Sequence, residues 1–192
     1  MKGKFAFNVP LKTGLITFGH PFEIFKKAAF GTELIFDGIW KVNGSICFGI
    51  DVKLYIASNA FFEHGNLCTV STQSKIFCTQ KIVFGNYVQI GDESVLLDTN
   101  FHDLYDLKEN KILPQSGTIH LGSYIYTGMR STIKSGTLLP DYTLVASNSL
   151  CNKDYTSFGN NILIGGIPAK FIKDGITRDW ESEKEQLEDY LT

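Results

Sequence analysis

The feature that most constrains this chain is a six-residue period. From Phe84 it reads FGNYVQ, IGDESV, LLDTNF; it then lapses, and returns at Leu121 as LGSYIY, TGMRST, IKSGTL, LPDYTL, VASNSL and CNKDYT. The first positions are Phe84, Ile90, Leu96, Leu121, Thr127, Ile133, Leu139, Val145 and Cys151, mostly medium-sized apolar side chains. A glycine or another small residue usually follows. Such self-similarity implies stacked units, each burying its apolar face against the next. Six residues make one short strand and a tight turn, and three such strands close a triangular coil. The first residue of each hexad then points inwards and stacks on its equivalents above and below. Small residues fit the corners, where glycine takes positive φ without steric cost. An α/β arrangement would need helical stretches between strands, and residues 118–168 offer none. The expectation is an all-β parallel solenoid.

Upstream, VNGSICFGIDVKLYIASNAFFEHGNLCTV, from Val42 to Val70, carries the same texture in blurred form and reads as earlier coils with poorer hexads. Three parts follow: an N-terminal capping segment over 1–38, a solenoid over 39–173 with a loop at 102–117, and a C-terminal helix within 174–192. In the cap, His20-Pro21 and the following FEIFKKAAF read as either a short helix or an entering strand. A cap is needed because an open solenoid end exposes apolar surface and unpaired backbone groups. In TRDWESEKEQLEDYL, Trp180, Leu187 and Leu191 share one face of a helix, with Glu181, Lys184, Glu185 and Glu188 on the solvated side. Its expected role is packing.

A chain of 192 residues accommodates one domain with a small appendage. Its 18 basic and 20 acidic residues, net charge −2, give no support to a nucleic-acid or polybasic membrane partner. Lys2, Lys4, Pro10 and Lys12 interrupt the opening residues, so neither a signal peptide nor a membrane span is expected. Cys47, Cys68, Cys78 and Cys151 lack CxxC spacing and read as reduced, buried thiols of a cytoplasmic protein. Phenylalanine, at 15, is common enough to suggest aromatic surface buried at a subunit interface.

The lapse in the period is LLDTNFHDLYDLKENK, from Leu96 to Lys111, which places His102 among Asp98, Asp103, Asp106 and Glu109. The excursion is too long to be mere connection in a compact solenoid. A zinc site of the β-helix carbonic anhydrase type needs three histidines, two of them close in sequence, and His102 and His120 have none between them. No metal is expected. A nucleotidyltransferase with a β-helix tail would need a further N-terminal domain.

Two passages give the chain a family likeness. Leu121 to Asp154, LGSYIYTGMRSTIKSGTLLPDYTLVASNSLCNKD, and Ile162 to Lys173, ILIGGIPAKFIK, resemble the left-handed parallel β-helix, hexapeptide-repeat acyltransferases. DTNFH, Asp98 to His102, is similar to the D-T-x-F-H element of capsule-type sugar O-acetyltransferases. The likeness covers about residues 80–173. Tyr126 stands where the family usually has tryptophan, Met129 where it has a small polar residue, and Ile167 where it has Asn or Val.

The resemblance implies a homotrimer with its site in the groove between neighbouring β-helices. It implies acetyl-CoA as co-substrate and a sugar or polysaccharide precursor as acceptor. His102 then takes the position of the general base, since a neutral imidazole can accept the acceptor's proton near neutral pH. For Asp98 three roles stay open: orienting that ring, stabilising the imidazolium, or binding the acceptor. The Met129 N–H, just after Gly128, takes the oxyanion-donor position. Ser147 and Asn152 border the pantetheine arm, and Lys153, Lys170 and Lys173 match phosphate-contacting positions. Tyr126 is placed to stack on a sugar face. His120, beside inward Leu121, should point outwards and take no catalytic part. O-acetylation is the leading expectation; N-acetylation of an amino sugar and a non-catalytic scaffold are the alternatives.

Overall fold

A computed structural model describes residues 2–22 and 30–191; the FEIFKKAAF motif falls largely outside the described residues. The chain winds through three parallel sheets in strict rotation. The first coil is β1 (Lys4–Phe7), β2 (Ile16–His20) and β3 (Glu33–Phe36). The second is β4 (Ile39–Val42), β5 (Ile46–Gly49) and β6 (Lys53–Ile56), and the third is β7 (Phe61–His64), β8 (Cys68–Val70) and β9 (Lys75–Cys78). The fourth is β10 (Lys81–Phe84), β11 (Gln89–Ile90) and β12 (Val95–Leu97). A hairpin, β13 (Leu104–Asp106) and β14 (Lys111–Leu113), interrupts there. Winding resumes with β15 (Thr118–Leu121), β16 (Tyr126–Thr127) and β17 (Thr132–Lys134), then β18 (Leu138–Leu139), β19 (Leu144–Val145) and β20 (Leu150–Cys151). The chain finishes with β21 (Leu163–Gly165), β22 (Lys170–Lys173) and α1 (Trp180–Leu191). Each coil contributes one strand to each face of a triangular prism.

The period's central expectation holds. All nine first-position residues are buried, none more than 2% exposed. Burying one such aliphatic side chain is worth about 1.5–3 kcal/mol, so the column is the main stabilising element. Polar columns complete the corner between the second and third sheets. The Ser74 hydroxyl donates to Gly91 O at 3.1 Å and accepts the Ser94 N–H; the Ser94 hydroxyl accepts the Ser131 N–H; and that of Ser149 accepts the Gly166 N–H. Each buried serine thereby satisfies a corner amide of the next coil that the sheets leave unpaired.

The early coils are wider, which explains their poor hexads. His120 pairs with Leu138, eighteen residues on, whereas Ile46 pairs with Cys68, twenty-two residues on. The wider bore takes larger side chains. Trp40 meets Phe36, Phe48 and Phe62 edge-on at 5.4–5.9 Å, and Phe62 meets Phe84 likewise at 5.5 Å. Four of the fifteen phenylalanines, Phe36, Phe48, Phe62 and Phe84, are therefore spent on this core. Residues 1–38 differ from the expected cap, because β1, β2 and β3 pair in parallel with β4, β5 and β6 and wind a full coil of their own. The helix starts at Trp180, not Thr177.

All four cysteines are free and buried. Burial pushes the Cys68 and Cys151 thiols up to about 12, so both are inert hydrophobes in the stack.

Candidate active site

The site must be sought where the chain leaves its regular coils. After β12, at the corner between the third and first sheets, Asp98 turns a fully buried carboxylate onto residues 79–81. One oxygen accepts the N–H and hydroxyl of Thr79, each at 2.8 Å; the other accepts the N–H groups of Gln80 and Lys81 at 2.8 and 2.9 Å. None of these partners is His102. The Gly117 N–H returns to Asp98 O at 2.9 Å and the Asn100 N–H to Gln115 O at 2.8 Å, closing the neck of the excursion. Phe101, at φ 58°, packs edge-on against Phe77 at 5.6 Å, and Lys134 Nζ holds Asn100 Oδ1 at 3.0 Å.

His102 sits exposed at the root of the hairpin. Beyond it, Asp106 Oδ1 accepts the N–H groups of Lys108 and Glu109 at the hairpin turn. Leu104, Leu107 and Ile112 are 47%, 88% and 63% exposed, so the arm presents apolar side chains among its charges. Asn152 and Lys153 follow β20 at this same corner; Lys153 Nζ lies over the Tyr155 ring at 5.3 Å.

Met129 stands at a different corner, between the second and third sheets. Among the described residues nothing accepts a hydrogen bond from its N–H, although its carbonyl accepts the Asn148 N–H at 2.9 Å. Gly128 is required here by close approach: a Cβ would lie 2.5 Å from Ser147 Oγ and 2.6 Å from Ser147 N. Ser147 stands one coil above, and the Gly166 turn, leading to Lys170, one coil above that. Lys173 lies at the far end of β22, opposite Leu163. His120 points outwards, as expected.

The third sheet thus has different polar groups at its two edges. One edge carries Asp98, His102, Asn152 and Lys153; the other carries Gly128, Met129, Ser147 and Lys170. On the coils below them its outer face has a depression of about 350 Å³ that Ile35, Tyr55, Phe77 and Phe101 line together with Glu33 and Lys53.

Sequence reasoning missed the surroundings of Tyr126. Gln89 is its direct partner in the second sheet. Both are the sixth residue of their hexads, FGNYVQ and LGSYIY, so the register carried that signal. The Arg178 guanidinium lies over the Tyr126 ring at 5.0 Å and over Trp180 at 5.2 Å, donates to Gln89 Oε1 and pairs with Glu183. Beside these groups is a cavity of about 210 Å³ that Tyr126 and Met129 both line.

No protein-family model and no curated protein sequence matches the chain. Solved structures do. NeuO, described as a polySia-specific acetyltransferase, aligns over 98% of this chain and 97% of its own, with a TM-score of 0.57 at 16% identity. A mutant of AntD, an N-acyltransferase from Bacillus cereus in complex with dTDP and coenzyme A, aligns over 91% of each chain, with a TM-score of 0.63 at 13% identity. A hexapeptide-repeat-containing acetyltransferase from Vibrio cholerae O1 biovar eltor, complexed with acetyl coenzyme A, covers 62% of this chain and 61% of its own, with a TM-score of 0.50 at 19% identity. The class is therefore defined at the level of fold. This is a left-handed parallel β-helix of the kind found in hexapeptide-repeat acetyltransferases.

Proposed function

We propose that this protein transfers an acetyl group from acetyl-CoA to a hydroxyl of a sugar or polysaccharide precursor. One observation carries the reading: a backbone donor unpaired among the described residues, Met129 N–H, and a loop imidazole, His102, occupy opposite edges of one sheet. Acyl transfer needs both, a base for the acceptor's proton and a donor for the oxyanion of the tetrahedral intermediate. One chain holds them apart. A neighbour that sets its His102 edge against this chain's Met129 edge unites them. Such a contact is heterologous, and three repeats of it close a ring. The exposed apolar hairpin and the apolar face of the third sheet supply the surfaces that such a trimer buries.

Within the groove, His102 takes the proton from the acceptor hydroxyl as its oxygen attacks the thioester carbonyl. The Met129 N–H holds the resulting oxyanion, and collapse of the intermediate expels the coenzyme A thiolate. The column Met129, Ser147 and Lys170 is the lane for the coenzyme, with Lys153 and Asn152 on the opposing wall. Lys173 serves the same phosphates only from a strand's length away, roughly 10 Å from Lys170. Asp98, with its carboxylate saturated by residues 79–81, serves as the anchor of the excursion. Tyr126 lines the acceptor side.

N-acetylation is the second reading, because an amine also loses a proton to His102. An acceptor screen with acetyl-CoA, followed by free-thiol release, tests the proposal. A product labile to hydroxylamine is the ester predicted here, and a stable one is an amide. No thiol release with any acceptor, together with no acetyl-CoA binding, leaves a scaffold.

A further inference from the structure

The cavity beside Met129 lies below the proposed coenzyme lane. Ser147 and Lys170 belong to coils above Met129; the cavity descends to Gln89, Ile90 and Asp92 one coil below and to Thr69 and Ser71 two coils below. Phe22 and Leu187 of α1 complete its wall. At about 210 Å³ it is smaller than the roughly 300 Å³ where drug-sized sites begin, and suits one substituted sugar unit.

Its most informative group is Gln89, only 8% exposed, whose Nε2 has no hydrogen-bond partner among the described residues. The orientation of this amide is fixed by chemistry. Arg178 has only donors, so the end of Gln89 facing it is the oxygen, and the end left over is the NH₂. A buried amide donor without an acceptor carries an uncompensated desolvation cost, which a ligand's acceptor recovers. Ile90 and Met129, beside it, offer apolar contact. Thr69, Ser71 and Asp92 offer groups that hydrogen-bond hydroxyls.

We infer that this cavity is the acceptor subsite and that it takes an N-acylated amino sugar. The Gln89 Nε2 donates to the acetamido carbonyl, Ile90 and Met129 hold the methyl, and the hydroxyls of Thr69 and Ser71 meet the ring hydroxyls. The inference rests on the acetyltransferase reading, and names its substrate class. The Arg178 bridge between Tyr126 and Trp180 holds Gln89 in place, which makes the C-terminal helix part of the subsite.

The test is ligand-observed saturation-transfer NMR on the intact protein with N-acetylglucosamine, N-acetylgalactosamine and N-acetylmannosamine, each against its parent hexose. At least one acetamido sugar should bind, with its methyl protons most strongly saturated, and its parent hexose about tenfold more weakly. Gln89→Glu is nearly isosteric and keeps an acceptor for Arg178, yet loses the donor; it should weaken the acetamido sugar about tenfold. Gln89→Met serves where Gln89→Glu lowers the melting temperature. Absence of methyl saturation from all three sugars overturns the inference, as does an unchanged dissociation constant in both variants. Acetyl-CoA binding by calorimetry on the same samples separates the two levels. Sugars failing while acetyl-CoA binds removes this inference alone, and failure of acetyl-CoA removes the acetyltransferase reading.

Discussion

Asp98 accepts both the backbone N–H and the hydroxyl of Thr79, each at 2.8 Å, from a site with no solvent exposure. This makes it the clamp on which the excursion pivots. Asp98→Ala removes the acceptor of four partly buried donors and leaves a void in a fully buried position, so it should destabilise the fold by about 2–4 kcal/mol. Thermal unfolding of the variant measures this. A melting temperature equal to wild type, with activity lost, would return Asp98 to a direct role beside His102.

Close approach at Gly128 makes a second expectation. Gly128→Ala drives a Cβ into the Ser147 backbone, whereas Gly136→Ala meets nothing within 4 Å and carries only the strain of φ +83°. The latter should cost about 1–2 kcal/mol. Gly128→Ala should cost more, as read from denaturation midpoints, because the rigid spacing of two coils must change.

His64 gives the fold an acid limit. It is fully buried against Trp40 and Phe62, and desolvation lowers its pKa to about 4, against a backbone hydrogen bond to Gly65 O that opposes the shift. Between pH 6.5 and about 4 the unfolded imidazole is protonated and the folded one neutral, so the unfolded state binds more protons. Stability is therefore full above pH 6.5 and falls as pH drops through that window, by at most about 1.4 kcal/mol per unit. Urea melts of wild type and His64→Leu should diverge in pH slope there. Parallel slopes would mean that His64 is protonated in the folded state.

Proline deletes the Met129 N–H, which has no acceptor among the described residues, and Met129→Ala, which removes only the cavity-lining side chain, is the control. Arg130 has φ 55°, which places Met129 at the preceding turn position, where proline is favoured in type II turns. Met129→Pro should keep its melting temperature and lose about 10²–10³-fold in kcat, the usual worth of an oxyanion donor. Full activity would assign the oxyanion to another group.

How much of this was legible in the sequence varies with coil width. Where the coils hold eighteen residues, the hexads gave the inward column correctly, and Thr127 and Cys151 stack as readily as Leu121. Where the coils widen, the period blurs, because extra corner residues slip the frame and aromatic side chains fill the bore. Tyr87, Tyr124 and Tyr142 show what register alone misses. Each is the fourth residue of its hexad, yet all three take positive φ, and their rings stack at 4.6–4.9 Å under the edge of Trp180. Propensity rules assign such corners to glycine or asparagine, and stacking between coils overrides them. The candidate base was visible as a break in rhythm. The partners of Asp98 were not, since residues 79–81 come next to it only after a full turn of the coil.

The central claim is that each site takes His102 from one chain and Met129 from its neighbour. Mixing His102→Ala with Met129→Pro, by joint unfolding and refolding in equal amounts, tests it most directly. Each variant alone should be nearly inactive. In randomly mixed rings a site is complete when its histidine comes from one variant and its wall from the other, so about a quarter of wild-type activity should return. Mixed assemblies that stay as inactive as the separate variants would contradict the shared site.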